Sequence, residues 1–372
     1  MKTRIFILSA LFCLLALSAH AQDTQRTDSI KRKPLTFEWN ANAYTFFDNT
    51  EYQGCPYATS GTVSGIRLSP EFGIGWGDGK YRLMAGLHAQ KDFGSKEFID
   101  HLDFIAYFEY HQQHKRVAQH FIMGAFPRNG HLDNYSEFFI DNEFHYFRPN
   151  MTGLHYQIDG KVGFVNVWLD WTGLQSKTER ETFFVGVSGE ARAKAFVGGG
   201  EFYMFHYANT DPPSGDACVH DNILGHFWAG IDMHYWGWKH VNRLRLTAGL
   251  MAGVERKRDD ITPTKAPLGL VLNLDANIWR FGINALYYYG EKRFTVETDD
   301  FDATYWGTKT LQSGNVLQAQ IYYDLFKWDG IQGTLGYLFN VVDGKLYHEQ
   351  LLQLRISLNR QSLKQLRNHP KY

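Results

Sequence analysis

The sequence is poor in cysteine, in net charge and in long apolar runs, and each shortage removes a class of protein. Only three of the 372 residues are cysteines, and one of these, Cys13, lies in an N-terminal apolar stretch. Cys55 and Cys218 both fall in connecting segments. One disulfide between them or two separate thiols are equally allowed, and a framework of several bridges is excluded. Lysine and arginine total 38 against 39 aspartates and glutamates, a formal net charge of −1. That balance leaves no footprint for nucleic acid or for a strongly anionic partner. After Leu17 no apolar run approaches the ~20 residues that a membrane-spanning helix needs.

Catalytic signatures are absent as well. There is no His-Glu-x-x-His and no Gly-x-Ser-x-Gly, and Gly186-Val187-Ser188-Gly189 misses the elbow spacing. No phosphate-cradling glycine loop precedes a helix. The sixteen histidines are scattered, and His226, His234 and His240 lack a metal-ligand spacing. The acidic run Thr298-Asp299-Asp300-Phe301-Asp302 has neither the glycine nor the terminal glutamate of an EF-hand, and it reads as a solvated loop. No metal and no cofactor is expected.

The N-terminus has its own logic. Lys2 and Arg4 form a basic region, Ile5–Leu17 an apolar one, and Ala19-His20-Ala21 a small-x-small cleavage site. Residues 1–21 therefore read as a secretory signal peptide, cleaved near Ala21. Residues 22–35 read as a flexible leader, 36–358 as the folded domain and 359–372 as a basic tail.

What the chain does have is alternation. In Leu268–Gly290, Leu268, Leu270, Leu272, Leu274 and Ala276 alternate with more polar residues up to Trp279-Arg280. Phe281, Ile283, Ala285, Tyr287 and Tyr289 then alternate back. Period two across a tight turn is the mark of an antiparallel hairpin, with Ala276 opposite Ile283 and Asp275 opposite Asn284. The pattern recurs in sixteen runs between Thr36 and Leu358, separated by alternating short and long connections. The same pairing logic sets Asp232 against Arg245 and His234 against Arg243, and around Trp328 it sets Leu325 against Ile331 and Ile321 against Leu335. Trp76, Trp236, Trp238, Trp279 and Trp328 sit at or beside the short turns, where an aromatic belt would meet water. The fold expected is all-β: a transmembrane up-and-down antiparallel β-barrel of about sixteen strands.

Signal peptide, alternating loops and aromatic turns together resemble the porin-like outer-membrane β-barrel proteins of Gram-negative bacteria. The chain departs from them in the basic residues Arg360, Lys364, Arg367 and Lys371 that follow the last strand. The resemblance implies a cell-outer-membrane location, lipid around the wall and a passive channel for small hydrophilic solutes such as sugars, not an enzyme. The lining expected is Asp170, Glu201, Asp232, His234, Arg243, Arg245, Glu255, Asp275, Gln318, Gln320, Asp324, Gln353 and Arg355. Arg128, Asp133, Glu137 and Asp141, with Phe138 and Phe139, would form a constriction on the loop Pro127–His145, if that loop folds inward rather than onto the rim. A homo-oligomer is allowed, although nothing marks an interface.

A second resemblance points elsewhere. Asp48-Asn49 and Thr62-x-x-Gly65 lie at the outer end of the first hairpin, and they are similar to the Asn-Asp and Thr-Asn-Gly segments of outer-membrane lipid A deacylase barrels. Here the acid precedes the amide, and no Asn stands between Thr62 and Gly65. On this reading the chain hydrolyses lipid with a rim cluster of Asp48, Asn49 and Thr62. A third reading is a non-conducting barrel that serves as a surface lectin or adhesin.

Overall fold

A computed structural model describes residues 34–213, 218–259, 261–296, 306–328 and 330–359, without the side chain of Glu143. The expected signal peptide, most of the leader, the basic tail and the run Thr298–Asp302 lie outside the described residues. Sixteen antiparallel strands close into a barrel, each pairing with its neighbours in sequence and β1 pairing with β16. They are β1 Thr36–Glu51, β2 Gly61–Trp76, β3 Tyr81–Asp92, β4 His101–His114, β5 Val117–Pro127, β6 Asn150–Asp159, β7 Gly163–Gly173 and β8 Thr182–Ala193. The second half comprises β9 Phe196–Tyr207, β10 His220–Asp232, β11 Val241–Lys257, β12 Leu268–Ile278, β13 Phe281–Gly290, β14 Asn315–Trp328, β15 Ile331–Val342 and β16 Lys345–Asn359.

The strands form where side chains alternate, because successive residues of a strand point to opposite faces. Outward residues such as Phe72, Leu83, Phe104, Phe227, Leu246 and Leu272 are large, apolar and exposed. Inward neighbours such as Glu71, Asp170, Glu201, Arg245 and Asp275 are polar and buried. An apolar outside and a polar inside is the reverse of a soluble sandwich and the rule for a barrel in lipid. The hairpin around Trp279 has the expected register, with Leu272 opposite Tyr287 and Asp275 opposite Asn284. Trp279 takes φ +58° in that turn. Exposed Trp236, Trp238, Trp279 and Trp328 ring the short-turn end.

Two registers differ from expectation. The sheet pairs Trp328 with Ile331, and a bulge between Asp324 and Phe326 then places Ile321 opposite Tyr337, not Leu335. The bulge drops one residue from the ladder, so the faces keep their sides although the pairing slides by two. Asp232 meets Arg245 as expected, but β10 ends there. Met233–Trp236 form a 3-10 turn capped by the Asp232 carboxylate, which accepts from the His234 backbone N–H. His234 is therefore exposed at the short-turn rim, with Nδ1 3.1 Å from the Val241 carbonyl, and neither faces Arg243 nor lines the lumen.

The loop between β5 and β6 turns inward. It carries one short helix, α1 (Asn142–Phe147), capped by Asp141, which accepts from the Phe144 N–H at 3.0 Å. Leu132, Tyr135, Phe138, Phe139 and Phe144 from this loop, with Trp306 and Leu311 from the β13–β14 connection, pack on Trp168, Phe184 and Tyr203 of the wall. The barrel's largest apolar cluster thus lies within the lumen.

Candidate functional site

Two places collect polar chemistry: the lumen around the inturned loop, and a patch on the outer face of the wall. Most of the expected site residues point into the lumen. Arg128, 1% exposed, donates to Asp170 and to the carbonyls of Arg148 and Asn150, both at 3.0 Å. Its guanidinium also covers the rings of Phe144 and Trp306 at 4.7 and 5.1 Å. Glu201 accepts from the Ser136 N–H at 2.8 Å and its hydroxyl at 2.7 Å, and it meets His226 Nδ1 at 3.0 Å. Glu137 accepts from Gln318, Gln353 donates to the Tyr146 hydroxyl at 3.3 Å, and Arg355 donates to Asn129 at 2.9 Å. Asp133 caps the turn at Gly130. Burial and then the nearby Asp48 charge push the Glu137 carboxyl up to about 7.

Other lining residues are spent on the wall itself. Arg243 pairs with Asp275 at 2.8 Å, Arg245 with Glu190, and Asp232 with Arg192 at 3.2 Å. Asp324 accepts from Gln332 at 3.1 Å and Thr334 at 3.2 Å, and Glu255 accepts from the Thr295 N–H at 3.0 Å. Gln320 lines a cavity near the short-turn end. The expected constriction is therefore a packed plug. Arg128 and Glu137 clamp the loop to the wall, Asp133 and Asp141 cap the loop's own turn and helix, and its aromatic rings lie buried where they cannot meet a sugar. A space of about 150 Å³ remains on the long-loop side, between Asp48, Glu137, Asp141 and Glu349. Spaces of about 310, 390 and 370 Å³ remain below the loop. Cys55 and Cys218 stay thiols, and no disulfide joins them.

The second place is the outward face of β2, β1, β16 and β15 near their long-loop ends. Thr62 is the register partner of Asn49, Asn49 of Gln350, and Gln350 of Tyr337, which makes one row across four strands. Glu51, His348 and Phe339 make a parallel row one step nearer the rim. The Thr62 hydroxyl donates to Asn49 Oδ1 at 2.6 Å, while Asn49 Nδ2 donates to Gln350 Oε1 at 2.5 Å and Glu51 Oε1 at 3.2 Å. The rings of Tyr337 and Phe339 flank His348 at 5.8 and 6.2 Å, and His348 Nδ1 is buried with no hydrogen-bond partner. The ring sits beside the carboxamides of Asn49 and Gln350, groups that can hold an ester.

This geometry divides the rim cluster expected from sequence. Asn49 and Thr62 come together, but Asp48 is adjacent to Asn49 in the strand and faces the lumen, 3% exposed. The sequence does not single out His348 and Gln350, because β16 lies three hundred residues from β1 and no local motif joins them to Asn49 and Glu51.

Comparison with known families decides what kind of protein carries this patch. The family described as lipid A 3'-O-deacylase-type matches residues 27–324. The chain belongs to the lipid A 3'-O-deacylase-type family. That membership overturns the expectation that the chain is not an enzyme, which rested on the lack of linear catalytic motifs. A site assembled from single residues of separate strands leaves no such motif. No curated protein matches the sequence.

Among solved structures, this member of the family is similar to OmpT of Vibrio cholerae, an outer-membrane protein, in a form lacking loop L8. That match has 10% identity, covers 88% of this chain and all of the other, and has a TM-score of 0.51. A mutant porin of Rhodopseudomonas blastica matches at 8% identity over 87% of this chain and all of its own, with a TM-score of 0.45. OccK9 of Pseudomonas aeruginosa matches at 10% identity over 87% and 98% of the two chains, with a TM-score of 0.40. The fold is that of porin-like outer-membrane barrels.

Proposed function

We propose that this barrel is an outer-membrane ester hydrolase that removes an O-linked acyl chain from lipid A at its lipid-facing outer rim. The observation that carries the reading is the outward row of Thr62, Asn49, Gln350 and Tyr337 beside Glu51 and His348. Polar side chains on the lipid face cost stability toward mid-membrane and little near the interface, so the wall tolerates a linked group of them at these strand ends. The headgroup–acyl boundary of the outer leaflet is also where the ester bonds of a lipid A molecule lie.

The chemistry follows from the residues. His348 takes a proton from water, and the hydroxide formed attacks the ester carbonyl. The Gln350 carboxamide N–H donates to the developing oxyanion, and Asn49 fixes that carboxamide in place. Glu51, opposite His348 in register, stabilises the imidazolium. Collapse of the intermediate breaks the acyl C–O bond, and His348 returns its proton to the departing sugar oxygen. The products are a free fatty acid and lipid A shorter by one chain. Tyr337 and Phe339 offer that chain an apolar bed. Among the described residues the inturned loop and its aromatic packing fill much of the lumen, which supports placing the activity on the wall.

The test is mass spectrometry of lipid A incubated with the refolded barrel. Loss of one acyl chain is expected with the wild type and not with His348→Ala. Lipid A left intact by the wild-type barrel would overturn the reading.

A further inference from the structure

We infer that the lumen, near its short-turn end, holds a three-histidine site for a late first-row divalent metal ion, built from His120, His131 and His155. His120 on β5 and His155 on β6 share the inward face of one hairpin. Gln157 is the register partner of His120 and Ile122 that of His155, so the two imidazoles lie diagonally across adjacent strands. His131 reaches them from the inturned loop. One ring nitrogen from each residue lies within 4.8 Å of those of the other two. The ring centroids are 5.5 Å apart for His120 and His131, 5.0 Å for His131 and His155, and 6.4 Å for His120 and His155. A tetrahedral zinc ion with Zn–N bonds of ~2.0–2.1 Å holds its nitrogens ~3.4 Å apart, so closure by at most about 1.4 Å assembles the site.

A second observation points to a ligand. His155 is 1% exposed, and neither of its ring nitrogens meets a partner in full hydrogen-bond geometry, the backbone of His131 being close enough only for a weaker polar contact. Among the described residues it is the one histidine with both nitrogens buried and unmatched. Buried polar groups in folded proteins are nearly always satisfied, and an ion accepting a nitrogen lone pair would satisfy this one.

The outer shell agrees. Glu109 on β4 lies 2.9 Å from His120 Nε2, and Arg82 holds Glu109 at 3.5 Å. A carboxylate behind an imidazole fixes the tautomer and orientation of a metal-bound histidine, here leaving Nδ1 to coordinate. Three neutral imidazoles suit Zn²⁺, Cu²⁺ or Ni²⁺ and not the hard oxygen-seeking cations. His131 and Glu109 also line the space of about 310 Å³ below the loop, where water can complete the coordination. Since His131 belongs to the plug and the other two to the wall, a bound ion would tie the loop down.

The experiment is calorimetric titration of Zn²⁺ into the full refolded barrel in detergent after chelator treatment. One ion per barrel is expected, with affinity falling at least 100-fold in His155→Ala and in His131→Asn. His234→Ala, at the exposed rim, should bind as the wild type does, and excess Ca²⁺ should not compete. X-ray absorption of the loaded barrel should show three imidazole nitrogens. If His155→Ala does not fold, the loop variant His131→Asn decides. A wild-type barrel that takes up no Zn²⁺ at micromolar concentration, or undiminished binding in a folded His155→Ala or His131→Asn barrel, overturns the proposal.

Discussion

Two stretches of the same wall make opposite use of one alternation. Along β7 to β9 inward residues are spent on the loop: Asp170 holds Arg128, Glu201 holds Ser136, and Trp168, Phe184 and Tyr203 bury the loop's aromatic rings. Along β15, β16, β1 and β2 the outward residues near the rim bond to one another and remain open to lipid. The first stretch closes a lumen that sixteen strands would otherwise leave wide. The second leaves a base and two carboxamides where an acyl ester can reach them. On the proposed reading, function in this barrel belongs to the outside of the wall, while this part of the inside is structural.

Substitutions can break that contrast from either side. The largest effect expected is on catalysis: His348→Ala should lower lipid A deacylation by about 10²–10⁴-fold, the usual worth of a general base, with the folded barrel retained in heat-modifiability gels. On the inner side, Asp170→Ala strands the Arg128 guanidinium in a buried site. It should cost about 3–5 kcal/mol in denaturant unfolding and open the lumen to ions in a planar bilayer, while deacylation persists. Phe139→Ala, which empties a fully buried ring position, should cost a comparable ~3–5 kcal/mol by the same measurement. Asn49→Ala loosens Gln350 without removing the base, and about a tenfold loss of rate, or ~1.4 kcal/mol, is expected.

The smallest effect concerns pH. The Glu137 carboxyl is raised to about 7 by burial and then by Asp48. A raised carboxyl binds its proton more tightly in the folded state, so its contribution is full below the ordinary carboxylate range of ~4.3 and is lost as pH climbs through 7. Stability should therefore decline across that window, and Glu137→Gln should flatten the decline in unfolding curves taken from pH 4 to pH 8.

Alternation made the barrel legible from the chain alone, because the face of each residue follows from its parity. The hairpin of β12 and β13 was readable down to individual pairs such as Asp275 and Asn284. Parity also survived where register did not: the bulge after Asp324 slid the pairing of Ile321 by two and kept it facing lipid. Where the structure departs from the pattern, the reasons are local. His234 left the ladder because the Asp232 carboxylate caps a short turn, a local competitor that strand counting ignores. Phe138 and Phe139 read from sequence as part of a constriction, whereas they are core. Asp48 and Asn49 were grouped because they are adjacent, although adjacency in a strand separates two side chains by the thickness of the wall. The partners of Asn49 come from β16 and β15, which only closure of the barrel brings beside β1.

That separation supplies the most direct test. Lipid A deacylation should be measured side by side for Asp48→Ala, which alters the inner face, and His348→Ala, which alters the outer. Near-wild-type activity in Asp48→Ala and loss of activity in His348→Ala are the results expected of a site facing lipid. Loss in Asp48→Ala with full activity in His348→Ala would contradict the account and move the chemistry into the lumen, among Asp48, Glu137 and Glu349.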